Sequence, residues 1–380
     1  MPAKNQISLL FCSLALLCAP PGAAQERARV VRQPTATAAP EPGEIVERVN
    51  TRAVFIDTLV RDRKTNEPVR DLRPEDFQVL DDGRPRKLSY FTREGDSRRP
   101  LALLLFIDLW TPYGRQHLKS EDAMRRLASA LAKLAPEDEV AVAATWIEEG
   151  DPPGTPVPTV RMLGGFTRDR ARTADALAGI PELVMRQEKL VEEIAERRAQ
   201  SSDDLLFDVV WRLSDVAGRV VPLAARFTNS QFVVVGLIAD LFDLRKGERE
   251  EAVEMALRAG ITFNGLVFKR SFASKVFIGA LNKVFMGPRG LSVHAADYLA
   301  KETGGEVASV GRADDLAAGL ERFISSLMAR YNLGFNLEEH ERHDGRMHRL
   351  EVRINQSDPR HRKRKLQVRA RRGYYLPPTY

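Results

Sequence analysis

Asp108 is the residue with the clearest chemical potential. It is the first charge after seven apolar residues, LALLLFI (101–107), and Leu109, Trp110, Thr111 and Pro112 follow it. A carboxylate where a buried strand ends can hold a ligand or a metal, because parallel-sheet proteins build their sites at the carboxyl ends of their strands. A second grouping is His340, His343 and His348 in EEHERHDGRMH (338–348). So much charge between two strand-like stretches predicts solvated turn histidines. A third is RHRKRK (360–365), where Arg360, Arg362, Lys363, Arg364 and Lys365 could hold a polyanion, such as an anionic envelope polymer, by releasing its counterions. The run has no aromatic residue for base stacking, so a solvated hairpin is the expectation and no nucleic-acid partner is expected.

The sequence contains no Gly-x-Ser-x-Gly elbow, no Gly-x-x-x-x-Gly-Lys loop and no His-Glu-x-x-His helix. In the Glu-rich stretch 188–196, Lys189 lies among the glutamates and Arg197 and Arg198 follow, as on a solvated helix. The expectation is a protein that is not an enzyme.

The elements that must position Asp108 have the period of a parallel sheet. LALLLFI, EVAVAATW (139–146), QFVVVGLI (231–238) and ITFNGLVF (261–268) are too continuously apolar for a sheet with one wet face. Between them run helical stretches. Met124, Leu127, Leu131 and Leu134 share a face of 121–134, VHAADYLAKET (293–303) stops at Gly304-Gly305, and 313–329 is amphipathic. The charged stretch 182–200 predicts an exposed helix. Alternation of this kind predicts a doubly wound, mostly parallel α/β sheet. Before it, VFIDTLVRD, DFQVLDD and RKLSYFT alternate with a period of two, and after Tyr331 the alternation returns in RLEVRIN (349–355). These two small β units, 46–97 and 330–380, are expected to flank the α/β domain (98–329) and to pack on each other as one β-sandwich domain.

The chain of 380 residues carries a formal charge of +6. Lys4, the apolar run ISLLFCSLALLCA and Gly22-Ala23-Ala24 predict a signal peptide over 1–24, cleaved near Ala24, and a periplasmic or secreted product. Leu17 before Cys18 disfavours a lipoprotein. Residues 25–45 read as a disordered linker. Both cysteines, Cys12 and Cys18, fall in the signal, so thiol chemistry is excluded downstream of it. No later stretch approaches the roughly 20 continuous apolar residues of a membrane-spanning helix.

Taken together, DLRPEDFQVLDDGRPRKLSYF (71–91), the strand ending in Asp108, LAKETGGEV (299–307), ARYNLGFNL (329–337) and RARRGYYLP (369–377) resemble the von Willebrand factor A-related proteins of the acidobacterial type. The resemblance implies a Rossmann-like von Willebrand A fold that binds a protein partner through a metal-ion-dependent adhesion site. Its first loop would read Asp-x-Ser-x-Ser, with a threonine from a second loop and an aspartate from a third. On that pattern Asp108 is kept, Trp110 and Pro112 replace the hydroxyls, and Thr111 is one residue out of phase. Asp204 stands at the threonine position, near Ser202 and Asp203, and Asp240 at the third aspartate. Indole and proline offer no side-chain oxygen. The resemblance therefore implies a degenerate site with two outcomes. Asp108, Asp204, Asp240 and Thr111 form a changed site for Mg²⁺ or Ca²⁺, or the metal has been lost and Trp110 and Pro112 serve as a contact surface; the second outcome is preferred.

Overall fold

Two hydrophobic faces on one strand explain the centre of the molecule. Leu101, Leu103, Leu105 and Ile107 pack into one core, while Ala102, Leu104 and Phe106 pack into another, so every residue of the strand is buried. The structure is a computed structural model and describes residues 53–93, 98–109, 115–151, 153, 155–199, 213–239, 246–268, 295–338, 341, 344–355 and 364–377.

In chain order the strands are β1 (Ala53–Asp62), β2 (Phe77–Asp81), β3 (Arg84–Arg86), β4 (Tyr90–Thr92), β5 (Leu101–Ile107), β6 (Glu139–Glu149), β7 (Pro156–Thr167), β8 (Gln231–Ala239), β9 (Thr262–Phe268), β10 (Val307–Val310), β11 (Tyr331–Asn336), β12 (Met347–Ile354), β13 (Leu366–Arg369) and β14 (Gly373–Tyr375). The helices are α1 (Glu121–Leu131), α2 (Arg170–Ala178), α3 (Ile180–Ala199), α4 (Leu213–Ala224), α5 (Lys246–Arg258), α6 (Ala295–Thr303) and α7 (Asp315–Met328).

Among the described residues the central sheet has six strands in the order β10-β9-β8-β5-β6-β7, all parallel except the β6–β7 pair. Helices cover both faces. Met124 and Leu127 of α1 and Leu316, Leu320 and Phe323 of α7 share one core with the odd-numbered β5 residues. Val220 and Ala224 of α4, Val253 and Ala256 of α5, and Leu299 of α6 share the other with the even-numbered ones. The fold is thus the doubly wound α/β class expected from the apolar runs. β7 is an addition to that expectation. Helix α3 departs from it: Ile180, Val184, Gln187 and Ile194 are buried, so the helix lies against the molecule and is not freely exposed.

The chain's two small β units pair with each other. One sheet runs β13-β1-β11-β4 and another β14-β12-β2-β3, with Ala53 opposite Asn336 and Leu350 opposite Asp81. Ile56, Val60, Leu72, Phe77, Val79, Tyr331, Leu333, Phe335, Leu350 and Tyr374 fill the core between them. The result is a sandwich built from both sides of the α/β segment. Arg61 of β1 joins the two parts by donating to both carboxylate oxygens of Glu306, at 2.9 and 3.0 Å, just before β10. At the end of α6, Gly304 takes a left-handed conformation (φ +81°) that glycine adopts without strain, and Gly305 passes so close to β9 that a Cβ would sit 1.7 Å from the Phe263 carbonyl oxygen.

Candidate functional site

The direction of winding reverses between β5 and β8. From β5 the chain moves to β6 and β7 on one side, and from β8 it moves to β9 and β10 on the other. In open α/β sheets the crevice beyond the carboxyl ends of two such strands is where ligands bind. Asp108 follows β5 directly, and its backbone N–H donates to the Leu237 carbonyl of β8 at 2.9 Å, which extends the pairing into that crevice.

The Asp108 side chain is buried, and the Thr145 hydroxyl on β6 donates to its Oδ1 at 3.2 Å. Thr145 Oγ1 in turn accepts from the Leu109 N–H at 2.9 Å. The hydroxyl therefore fixes both the carboxylate and the Leu109 backbone. Arg115, where the described chain resumes, has only 5% of its surface exposed, and its Nε and Nη1 have no hydrogen-bond partner. Burial pushes its guanidinium below the ordinary arginine range, while Glu188 and then Asp108 act by charge in the other direction. Glu188 itself pairs with Lys119 at 2.7 Å. Gln187 of α3 accepts from the Ile147 N–H at 3.0 Å and holds that helix against β6.

Of the residues expected here, Asp108 lies at the strand end as read. Trp110, Thr111, Pro112, Asp204 and Asp240 lie outside the described residues, although Ala239, immediately before Asp240 in sequence, closes β8. Sequence reading missed Thr145 and Arg115. Thr145 had a signal, since it is the only hydroxyl in the apolar run 140–147. Arg115 had none.

In the basic segment, Arg360, Arg362 and Lys363 lie outside the described residues. Arg364 makes a 2.9 Å ion pair with Asp71, and the Lys365 carbonyl accepts from the Arg63 N–H at 2.7 Å, so this end of the run is tied to the sandwich. The expectation of solvated turn histidines fails for His348, which is buried on β12 and stacked on Tyr374 with ring centroids 4.9 Å apart. His340 and His343 lie outside the described residues.

No family model and no curated protein matches the sequence. Among solved structures the chain is similar to a von Willebrand factor type A protein from Catenulispora acidiphila, with 8% identity and a TM-score of 0.38 over 87% of this chain and 74% of that one. It is similar to the human COPII-coat protein Sec24c with 10% identity and a TM-score of 0.35, covering 75% of this chain and 45% of Sec24c, less than half of that protein's length. The SpRpn10 VWA domain matches with 11% identity and a TM-score of 0.31 over 59% of this chain and 94% of the domain. These likenesses concern fold alone, and the site beyond β5 and β8 stands on its own geometry.

Proposed function

We propose that this chain is an exported, non-enzymatic binding module of the von Willebrand A-related type, which engages a protein partner through the carboxyl-end face of its central sheet. One observation carries the reading: a buried aspartate at the point where the winding reverses, held by Thr145 and accompanied by an arginine with unfilled donors. That guanidinium acts on Asp108 by charge and so supplies, without a metal, the positive centre that a bound cation supplies in an intact adhesion site.

The described donors fit a metal poorly. They offer one carboxylate and one hydroxyl beside a buried guanidinium, whereas Mg²⁺ wants six oxygens near octahedral geometry and gains nothing from a neighbouring cation. Trp110 and Pro112 stand where the resemblance expects hydroxyls and offer no side-chain oxygen, so the module is assigned a degenerate metal-ion-dependent adhesion site with these two residues as the contact.

The test is partner capture by the full chain, its Asp108→Ala variant and its Trp110→Ala variant, with Mg²⁺, Ca²⁺ and Mn²⁺ titrated in parallel. Loss of capture in both variants at unchanged melting temperature is the expected result. Capture equal to wild type in both would remove the proposal, and saturable Mg²⁺ or Ca²⁺ binding lost in Asp108→Ala would restore a metal to the site.

A further inference from the structure

At the far end of β2 the sequence Asp81-Asp82-Gly83 turns into β3, with Asp82 and Gly83 both at positive φ (+48° and +81°). This tight turn lies beside β12, and it brings Asp81, Asp82 and His348 together so that one ligand atom from each lies within 4.8 Å of the others. His348 Nδ1 is 3.0 Å from Asp82 Oδ2 and 3.8 Å from Asp81 Oδ1. Two ligands of a tetrahedral ion with bonds of about 2.0–2.1 Å stand roughly 3.3 Å apart, between these values.

Each ligand is oriented by its other polar atom. Asp81 Oδ2 accepts from Arg86 Nη2 at 2.8 Å and from the Tyr374 hydroxyl at 3.1 Å, which leaves Oδ1 buried and without a hydrogen-bond partner. Asp82 Oδ1 accepts from the Arg349 N–H at 2.8 Å, which turns Oδ2 toward the imidazole. The far ring nitrogen, Nε2, is 2.9 Å from Asp344 Oδ2, an ion-pair contact off the hydrogen-bond line. A carboxylate behind a histidine is the usual support for a metal-bound imidazole, because it fixes which nitrogen carries the proton. An unfilled carboxylate oxygen in a side chain only 1% exposed is costly unless something positive reaches it.

Asp81 meets Arg86, and Asp82 and Asp344 meet Arg346, so three carboxylates surround the imidazole. Asp82 is exposed and leaves a path for the ion and for water.

We propose that Asp81 Oδ1, Asp82 Oδ2 and His348 Nδ1 bind a divalent transition-metal ion, Zn²⁺ by preference, with water in the fourth position, clipping the β2–β3 hairpin to β12. Mixed nitrogen and oxygen ligands with a single imidazole suit Zn²⁺ better than Mg²⁺. An ion on Nδ1 requires the neutral tautomer with its ring proton on Nε2, the nitrogen that faces Asp344 Oδ2.

The experiment is calorimetric titration of ZnCl₂ into the full chain, followed by melting with and without Zn²⁺ and by the visible spectrum with Co²⁺. Wild type should bind one ion through this site, melt higher with Zn²⁺ and give tetrahedral Co²⁺ bands. Asp82→Asn, which keeps a side chain suited to positive φ, and His348→Gln should each weaken binding at least tenfold, while Asp108→Ala should retain it. If His348→Gln does not fold, Asp82→Asn alone decides. Absence of Zn²⁺ binding in wild type, or binding that survives Asp82→Asn, would overturn the proposal.

Discussion

At the scale of single residues, the strongest constraints come from buried polar atoms whose partners lie far away in sequence. The Tyr331 hydroxyl accepts from the Leu72 N–H at 3.0 Å and donates to the Val69 carbonyl at 2.9 Å, and burial raises its pKa to about 12. Tyr331→Phe strands both backbone groups and should cost about 1–3 kcal/mol in denaturant unfolding, with an unchanged far-ultraviolet spectrum. Glu306 gives a pH dependence. Burial alone would raise its pKa, but the Arg61 hydrogen bonds and charge outweigh that and hold it below its ordinary value near 4.5. A carboxylate depressed in the folded state contributes stability that is complete above the unfolded pKa and is lost as pH falls through the folded one. Melting temperature should therefore fall below about pH 4.5, and Arg61→Met, which leaves the carboxylate buried and unpaired, should cost roughly 3–5 kcal/mol at pH 7. Asp108 was legible because it is one charge at the end of an apolar run. Arg115 and His348 were not, since an arginine in a loop and a histidine among charges carry no sequence mark of being buried.

Elements were easier to read than their faces. The four apolar runs became parallel strands because continuous hydrophobicity is needed when helices cover both sides of a sheet. Strand β7 escaped notice because Pro156, Pro158, Gly164 and Gly165 look like punctuation, yet at a sheet edge proline costs no ladder bond. Helix α3 carries so many charges that its buried set of Ile180, Val184, Gln187 and Ile194, spaced for one helical face, was obscured. The Gly304-Gly305 pair was read correctly as a helix stop, but only the structure shows that Gly305 is also a close-approach residue. Gly305→Ala should destabilise by roughly 3 kcal/mol, because the atom in the way is backbone and cannot move aside, and chemical unfolding would measure it.

For the whole molecule, the two β units were legible as alternating patterns, but their pairing was not, since nothing local records that Ala53 faces Asn336. With Arg61, Arg330 and Arg369 reaching across to Glu306, Gly304 and Gly305, the sandwich and the α/β layers should unfold together, so calorimetry should show one transition for residues 50–380. The pairing of β1 with β11 also sets an order of events during synthesis. The partner of Ala53 is Asn336, and at about 5–20 residues per second a ribosome needs roughly 15–60 s to deliver it. For that interval β1 has neither β11 nor β13, and β2 has β3 on one side but an open edge where β12 will pair, both exposed to any other nascent chain. The last stretch to be made is thus the one that closes the first, and a truncated chain ending before Tyr331 should aggregate even though its central sheet is complete.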